Sequence, residues 1–338
     1  MKVKRPTKAQ RLSSTTINTL PQTILENILC LLPIQEAART SIFSREWRYK
    51  WTTIPKLDFC SSTVPEIRTQ ENQTSHVERA RKIMERRRKL FNAIPRVLLM
   101  HQGPIHEFSI DSIANCDCFE LDPIIFHLSR NHAVKKLKLA FDYMYPHKLP
   151  LCAFSLHHLR DLDLSYVVID HQPIFSGFGS LRSLSLYYVK ISTKALLHLL
   201  SNCPSLKRFN LLGSICDKDC TIIELFDCLH VIEDLTIYGD TPELIAEGIG
   251  DDNETWFGIL EKYSDVRLEH LQELEIHRFR NLEHEMELVT VILARSPKLK
   301  KVIIHSLVEK DEESDMLKIF LQASRASPVE IVVRSMID

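Results

Sequence analysis

Glycine is scarce in this sequence, 8 of 338 residues, where a typical chain carries about 7%. Nucleotide-binding folds that cradle phosphate in Gly-rich loops are therefore disfavoured. Neither Gly-x-Gly-x-x-Gly nor a phosphate loop ending in Gly-Lys-Ser/Thr occurs, and Gly-x-Ser-x-Gly is missing as well. No apolar run approaches the ~18 residues of a membrane span, so no membrane association is expected. The first 25 residues contain no apolar stretch of the secretory kind. The nine cysteines are odd in number and irregularly spaced, which argues for reduced thiols and a cytoplasmic or nuclear protein. No motif implies a cofactor.

Leucine, in contrast, is abundant at 45 residues, and 44% of the chain is hydrophobic against 26% charged. Such a chain folds, and the Leu excess favours stacked repeats. The formal net charge of −1 conceals an asymmetry: residues 1–100 hold 19 Lys and Arg against 8 Asp and Glu, while the remainder holds 24 against 36. Residues 1–19 read as a disordered basic arm. The two ends call for different partners, and a basic end is steered toward acidic protein surfaces or nucleic acid.

From Leu20 onward the pattern is helical. Pro21 suits a first helical turn, and Ile24, Leu25, Ile28, Leu29 and Leu32 recur at intervals of three and four. Pro33 ends this helix and opens a second over Ile34–Ser41; Phe43, Trp47 and Trp51 then fall at i, i+4 and i+8 on one face of an expected third. The two tryptophans are expected in the core. So short a module cannot bury enough surface to stand alone, so its remaining apolar edge needs another surface.

A second pattern (apolar, two others, apolar, one other, apolar) returns eight times: Ile105-Phe108-Ile110, Val134-Leu137-Leu139, Leu159-Leu162-Leu164, Leu181-Leu184-Leu186, Leu206-Phe209-Leu211, Ile232-Leu235-Ile237, Leu271-Leu274-Ile276 and Leu299-Val302-Ile304. The spacings of the central residues, 29, 25, 22, 25, 26, 39 and 28, bracket the leucine-rich repeat with one long insertion. Each copy predicts a short strand and a return, such as a helix over Ala195–Ser201. Because strand side chains alternate faces, the leucines fill the interior and the residues between them line a concave surface. The target-binding candidates are therefore Lys136, Lys138, Asp161, Asp163, Tyr187, Arg208, Asn210, Asp234, Tyr238, Glu273, Glu275 and His277, with His305 at the next same-face position.

The run LPQTILENILCLLPIQEAARTSIFSREWRYKW resembles an F-box, the segment by which substrate receptors dock on the Skp-type adaptor of cullin-based ubiquitin ligases. The stretch LEHLQELEIHRFRNLEHEMELVTVILARSPKLKKVIIH resembles the FBD domain of plant F-box proteins with leucine-rich repeats. The resemblance implies an α/β chain: a small all-helical F-box over residues 20–60, a linker with a basic amphipathic helix over 61–104, a leucine-rich-repeat solenoid (horseshoe) over 105–255, and an FBD domain with terminal repeats over 256–338. It also implies adaptor contacts through Leu20, Pro21, Ile24, Leu25, Ile28, Leu29, Leu32 and Pro33, and through the adaptor a cullin.

Other constellations read as structural. Cys116 and Cys118 with His127 and His132, and Cys216, Cys220 and Cys228 with His230, lack the spacing of common zinc sites; no metal is expected. Glu283, His284, Glu285 and Glu287 read as the solvated face of an FBD helix with Met286, Val289, Ile292 and Leu293 inward. The seven basic residues of Arg79–Lys89 share a helix with Val77, Ala80, Ile83, Met84, Leu90 and Phe91, and without interleaved aromatics they do not form a base-stacking platform. Residues 240–275, with 11 acids against two bases, read as an exposed acidic insertion. The expected function is non-catalytic: a substrate-recognition subunit of a Skp–cullin–F-box ligase that holds a target protein on its concave face. The alternative is a leucine-rich-repeat interaction module acting without a ligase.

Overall fold

A computed structural model of the chain describes residues 17, 20–60, 76–113, 121–141, 146–170, 178–213, 222–238, 267–308 and 310–336. The basic arm, the cysteines at 116, 118, 216 and 220, and most of the acidic insertion lie outside the described residues, as do the side chains of the apolar stripe expected along the basic helix. Among the described residues no helix is long and apolar enough to cross a membrane.

The strands are β1 (Lys56–Cys60), β2 (Glu107–Ile113), β3 (Lys136–Phe141), β4 (His147–Lys148), β5 (Asp161–Ser165), β6 (Val167–Ile169), β7 (Ser183–Tyr187), β8 (Lys190–Ile191), β9 (Arg208–Leu212), β10 (Asp234–Tyr238), β11 (Glu273–Phe279), β12 (Lys301–Ser306) and β13 (Glu330–Ser335). Ten of them form one parallel sheet in chain order, omitting β4, β6 and β8, which make a small sheet of their own. All eight predicted triplets sit in this sheet, in register: Phe108, Leu137, Leu162, Leu184, Phe209, Leu235, Leu274 and Val302 pair in succession. Two strands of this sheet were not anticipated, nor was the small sheet of β4, β6 and β8. β1 occupies the end of the segment read as helical, and β13 lies beyond the last triplet.

The helices are α1 (Gln22–Leu29), α2 (Ile34–Arg39), α3 (His76–Met100), α4 (Leu121–Asn131), α5 (Thr193–Ser201), α6 (Ile222–Cys228), α7 (Glu283–Arg295) and α8 (Lys310–Gln322). Ser192 caps α5 by accepting from the Ala195 N–H at 3.3 Å, and Leu196, Leu199 and Leu200 are buried with the strand leucines. In α7, Val289, Ile292 and Leu293 are buried as predicted. Glu285 departs from expectation: it is 1% exposed, not solvated. Its Oε2 accepts from the Arg280 and Leu282 N–H groups at 2.8 and 3.3 Å, donors that a helix N-terminus otherwise leaves without a partner.

The head departs from its predicted third helix. Turns over 45–49 and a 3₁₀ turn at Lys50–Thr53 stand where that helix was expected, and the end of the expected second helix is a 3₁₀ turn at Thr40–Ile42. Trp47 and Trp51 are nevertheless buried, at 7% and 5%, while Phe43 is 73% exposed. The head solves its size problem by docking. Leu25, Leu29, Ile34, Ala37, Trp47 and Trp51 belong to the same apolar cluster as the strand leucines. At the seam, Gln102 N–H donates to the Thr52 carbonyl at 2.8 Å, and a Cβ on Gly103 would stand 2.6 Å from the Thr53 oxygen, so the approach requires glycine.

Five residues after the start of β5, β7, β9 and β11 the chain turns through positive φ, at Tyr166 (55°), Tyr188 (51°), Gly213 (77°) and Arg278 (56°). This corner repeats because the register repeats. The Tyr166 and Tyr188 rings stack at 5.2 Å and 7°, and a Cβ on Gly213 would lie 2.4 Å from the Tyr188 ring. Gly213→Ala should therefore cost about 1–3 kcal/mol in urea unfolding. In a Tyr188→Ala background the collision is gone, and the cost of the same change should fall to about 1 kcal/mol, the backbone strain alone.

Candidate functional site

Two surfaces are built by this fold. The first is the outer side of the head. Helix α1 is held on the Lys50–Thr53 turn by polar bonds: Thr53 Oγ1 donates to Glu26 Oε1 at 2.8 Å, and Lys50 Nζ donates to Gln22 Oε1 at 2.6 Å. That docking decides which apolar residues face out. Of the residues expected to contact an adaptor, Pro21, Ile24 and Leu32 are exposed, Leu20, Ile28 and Pro33 are half-buried, and Leu25 and Leu29 are buried at 2% and 1%. Leu25 and Leu29 are thus corrected to core residues, because they face the tryptophans rather than solvent. Leu31, Ile42, Phe43 and Tyr49, 56–84% exposed, were not picked out. Their signal is that they cannot share the stripe of Trp47 and Trp51 once the backbone turns.

The second surface is the sheet face opposite the leucines. The register places all twelve predicted target-binding residues on it, in three rows. One row runs through Lys136, Asp161, Arg208, Asp234 and Glu273, and the next through Lys138, Asp163, Asn210 and Glu275. A third holds Tyr187, Tyr238 and His277. Charges meet on neighbouring rungs at Lys136–Glu107 (3.2 Å) and Lys138–Asp111 (3.0 Å), and Arg208 reaches across β7 to Asp161 at 3.4 Å. Asn210 donates to Ser185 Oγ at 2.9 Å. Asp234 faces Glu273 across the ladder; desolvation first and that carboxylate second hold the Asp234 carboxyl above its usual range.

In the third row the rings form a continuous run. Tyr187 meets Tyr238 edge-on at 6.5 Å, Tyr238 stacks on His277 at 4.7 Å, and His277 stacks on His305 at 4.3 Å. Glu275 and His277 of one repeat converge here with His305 of the next, brought together by the pairing of β11 with β12. Of the cysteine and histidine sets weighed as ligands, His127, His132, Cys228 and His230 are among the described residues. Cys228 Sγ donates to the Leu197 carbonyl at 3.8 Å, and the His127 and His132 rings pack at 5.3 Å. Burial pushes the Cys203 thiol up to about 12, which leaves it an inert apolar filler.

Toward the β1 end the face forms a groove of about 340 Å³ lined by Lys56, Asp58, Lys138, Asp163 and Ser185, among others. Asp163 stands out there. Desolvation holds its carboxyl above the usual range, opposed by Lys138 and reinforced by Asp111, and its buried Oδ1 has no hydrogen-bond partner. A buried carboxylate oxygen left without a partner costs stability where it stands.

A leucine-rich-repeat family model described for an FBD-associated F-box protein matches residues 124–236, an FBD model matches 267–304 and an F-box model matches 17–58. Among curated proteins of Arabidopsis thaliana, the F-box/FBD/LRR-repeat protein At1g13570 is 35% identical over 58% of this chain and 43% of its own length. The F-box/FBD/LRR-repeat proteins At5g56420 and At3g26920 are each 25% identical, over 56% of this chain and 42% and 40% of their own lengths. The chain therefore aligns with less than half the length of these relatives.

Asp163→Asn should raise the unfolding free energy from urea titration at neutral pH, by about 1 kcal/mol or less. The sign follows from the raised folded-state value: the native state holds its proton more tightly than the unfolded chain, so ionisation costs stability as pH rises through that range. The gain should vanish in acid, where both states are protonated. The chain thus carries F-box, leucine-rich-repeat and FBD segments in sequence, and its curated relatives are plant F-box/FBD/LRR-repeat proteins.

Proposed function

We propose that this chain is the substrate-recognition subunit of a Skp–cullin–F-box ubiquitin ligase, working in the cytosol or nucleus. Its F-box docks a Skp-type adaptor, and through it a cullin, while the sheet curves as a leucine-rich-repeat solenoid to hold a target protein. The observation that carries the reading is the head's outer surface. Ile24, Leu31, Leu32, Ile42, Phe43 and Tyr49 are all exposed within residues 24–49, while Leu25, Leu29, Ile34, Ala37, Trp47 and Trp51 are buried in the core shared with the sheet. Large apolar side chains concentrated in this way mark an interaction surface.

The mechanism is proximity. A target held on the strand face and a conjugating enzyme held through the adaptor share one assembly, which raises the effective concentration of a target lysine at the ubiquitin thioester. The chain contributes binding energy and orientation, with no nucleophile of its own. The sheet suits a polypeptide partner by size, since ten strands about 4.8 Å apart span roughly 43 Å.

The test is co-purification of the full chain with a plant Skp-type adaptor, beside a Leu31→Asp, Phe43→Asp double variant. Both residues are exposed, so thermal unfolding of the variant should match the parent. Adaptor capture should fall about tenfold or more. Undiminished capture by a folded variant contradicts the docking surface, and no capture by the parent chain leaves the repeat face as a binding module without a ligase.

A further inference from the structure

Glu275 and His277 stand two residues apart on β11 and project from the same face, and His305 stands beside them on β12. Glu275 Oε1 lies 2.8 Å from His305 Nε2 and 3.3 Å from His277 Nε2. All three donor atoms fall within 4.8 Å of one another. Around a tetrahedral zinc ion with bonds of about 2.0–2.1 Å, donors sit about 3.3 Å apart. Two edges of the triangle already have that scale, and a small tilt of the rings closes the third.

The cluster is both reachable and held. The three side chains are 16–36% exposed, open to an ion arriving from the sheet face. The near-parallel stack of His305 on His277, and of His277 on Tyr238, limits the rotamers of both imidazoles. For one carboxylate oxygen to bond both rings, each Nε2 must carry a hydrogen. A divalent cation takes the place of those two hydrogens, each ring shifting its proton to Nδ1, and satisfies three donors at one point. Arg334 pairs His305 in register on β13 and carries the opposing charge; it is exposed, so its head group is free to stand off in water.

We propose that Glu275, His277 and His305 form a binding site for a first-row divalent cation, zinc being the case to test. Two imidazoles and a carboxylate are the donor set that such cations prefer over calcium or magnesium. Three protein donors leave a fourth position open. It is available to water or to a histidine, cysteine or carboxylate of a polypeptide lying on this face, which makes metal a means of fixing a partner. The site lies on the sheet, away from the F-box, and its test does not depend on adaptor docking.

The experiment is calorimetric titration of the full chain with zinc chloride near neutral pH, with cobalt(II) spectra in parallel. Parent protein is compared with Glu275→Gln, His277→Phe and His305→Phe; the phenylalanines keep a ring in the stack while removing the donor. The expected result is a zinc equivalent that weakens by about tenfold or more in each variant, with thermal unfolding of the cation-free proteins unchanged. The cobalt spectrum of that equivalent should show the d–d bands of a nitrogen and oxygen site without a thiolate-to-metal charge-transfer band. The proposal is overturned if the parent takes up no zinc, if uptake is unaffected in both histidine variants, or if the lost equivalent carries the thiolate band.

Discussion

Everything in this chain hangs on the in-register pairing of ten parallel strands in chain order. Each strand buries its apolar residues against its neighbours and the return helices, so a rung is supported by the rungs on either side. The consequence reaches well beyond the backbone. A fixed register decides that Lys138 meets Asp111 and that Tyr238 lies over His277, and it returns the corner residue to positive φ at Tyr166, Tyr188, Gly213 and Arg278. Insertions do not disturb it. β10 pairs directly with β11 across the long acidic segment between them, as expected when loop-closure cost grows slowly with length.

The same ladder completes the F-box. A head this short lacks the buried surface for independent stability, and β1 supplies the missing partner by joining its end to β2. Its inner stripe is then committed to the shared core, and what remains apolar outside is available for binding. Division of labour follows from packing: Leu25 and Leu29 hold the head in place, while Leu31 and Phe43, a few residues away, face solvent. On the sheet face the trade runs the other way. The aligned Asp234–Glu273 carboxylates and the desolvated Asp163 cost stability where a partner would lie, the pattern expected of residues kept for binding.

The repeat body was legible because its pattern is local. A Leu-x-x-Leu-x-Leu run states both the strand and its inward face, and all eight runs found their rungs. β1 repeats the pattern as Ile54-Leu57-Phe59, but it directly follows the helical head and was absorbed into it. β13 has Pro328 where the other copies carry an aliphatic residue, and a run of Ile331, Val332 and Val333 that hides the alternation. Burial that depends on tertiary contacts was not legible. Three acids near the start of α7 look solvated, yet Glu285 is taken inside to bond two backbone N–H groups. The i, i+4, i+8 spacing of Phe43, Trp47 and Trp51 matched burial for the tryptophans alone, because the backbone turns between Phe43 and Trp47. Likewise the convergence of His305 on Glu275 and His277 has no contiguous motif along the chain, since it arises only through the pairing of β11 with β12.

The central claim is that one end of a single packed body docks an adaptor while the strand face stays free for a second protein. Hydrogen–deuterium exchange of the full chain, with and without a plant Skp-type adaptor, tests it directly. The account predicts slowed exchange confined to peptides within residues 22–53 and unchanged exchange in peptides covering β10 to β12. Protection on the strand face with none in the head would contradict it.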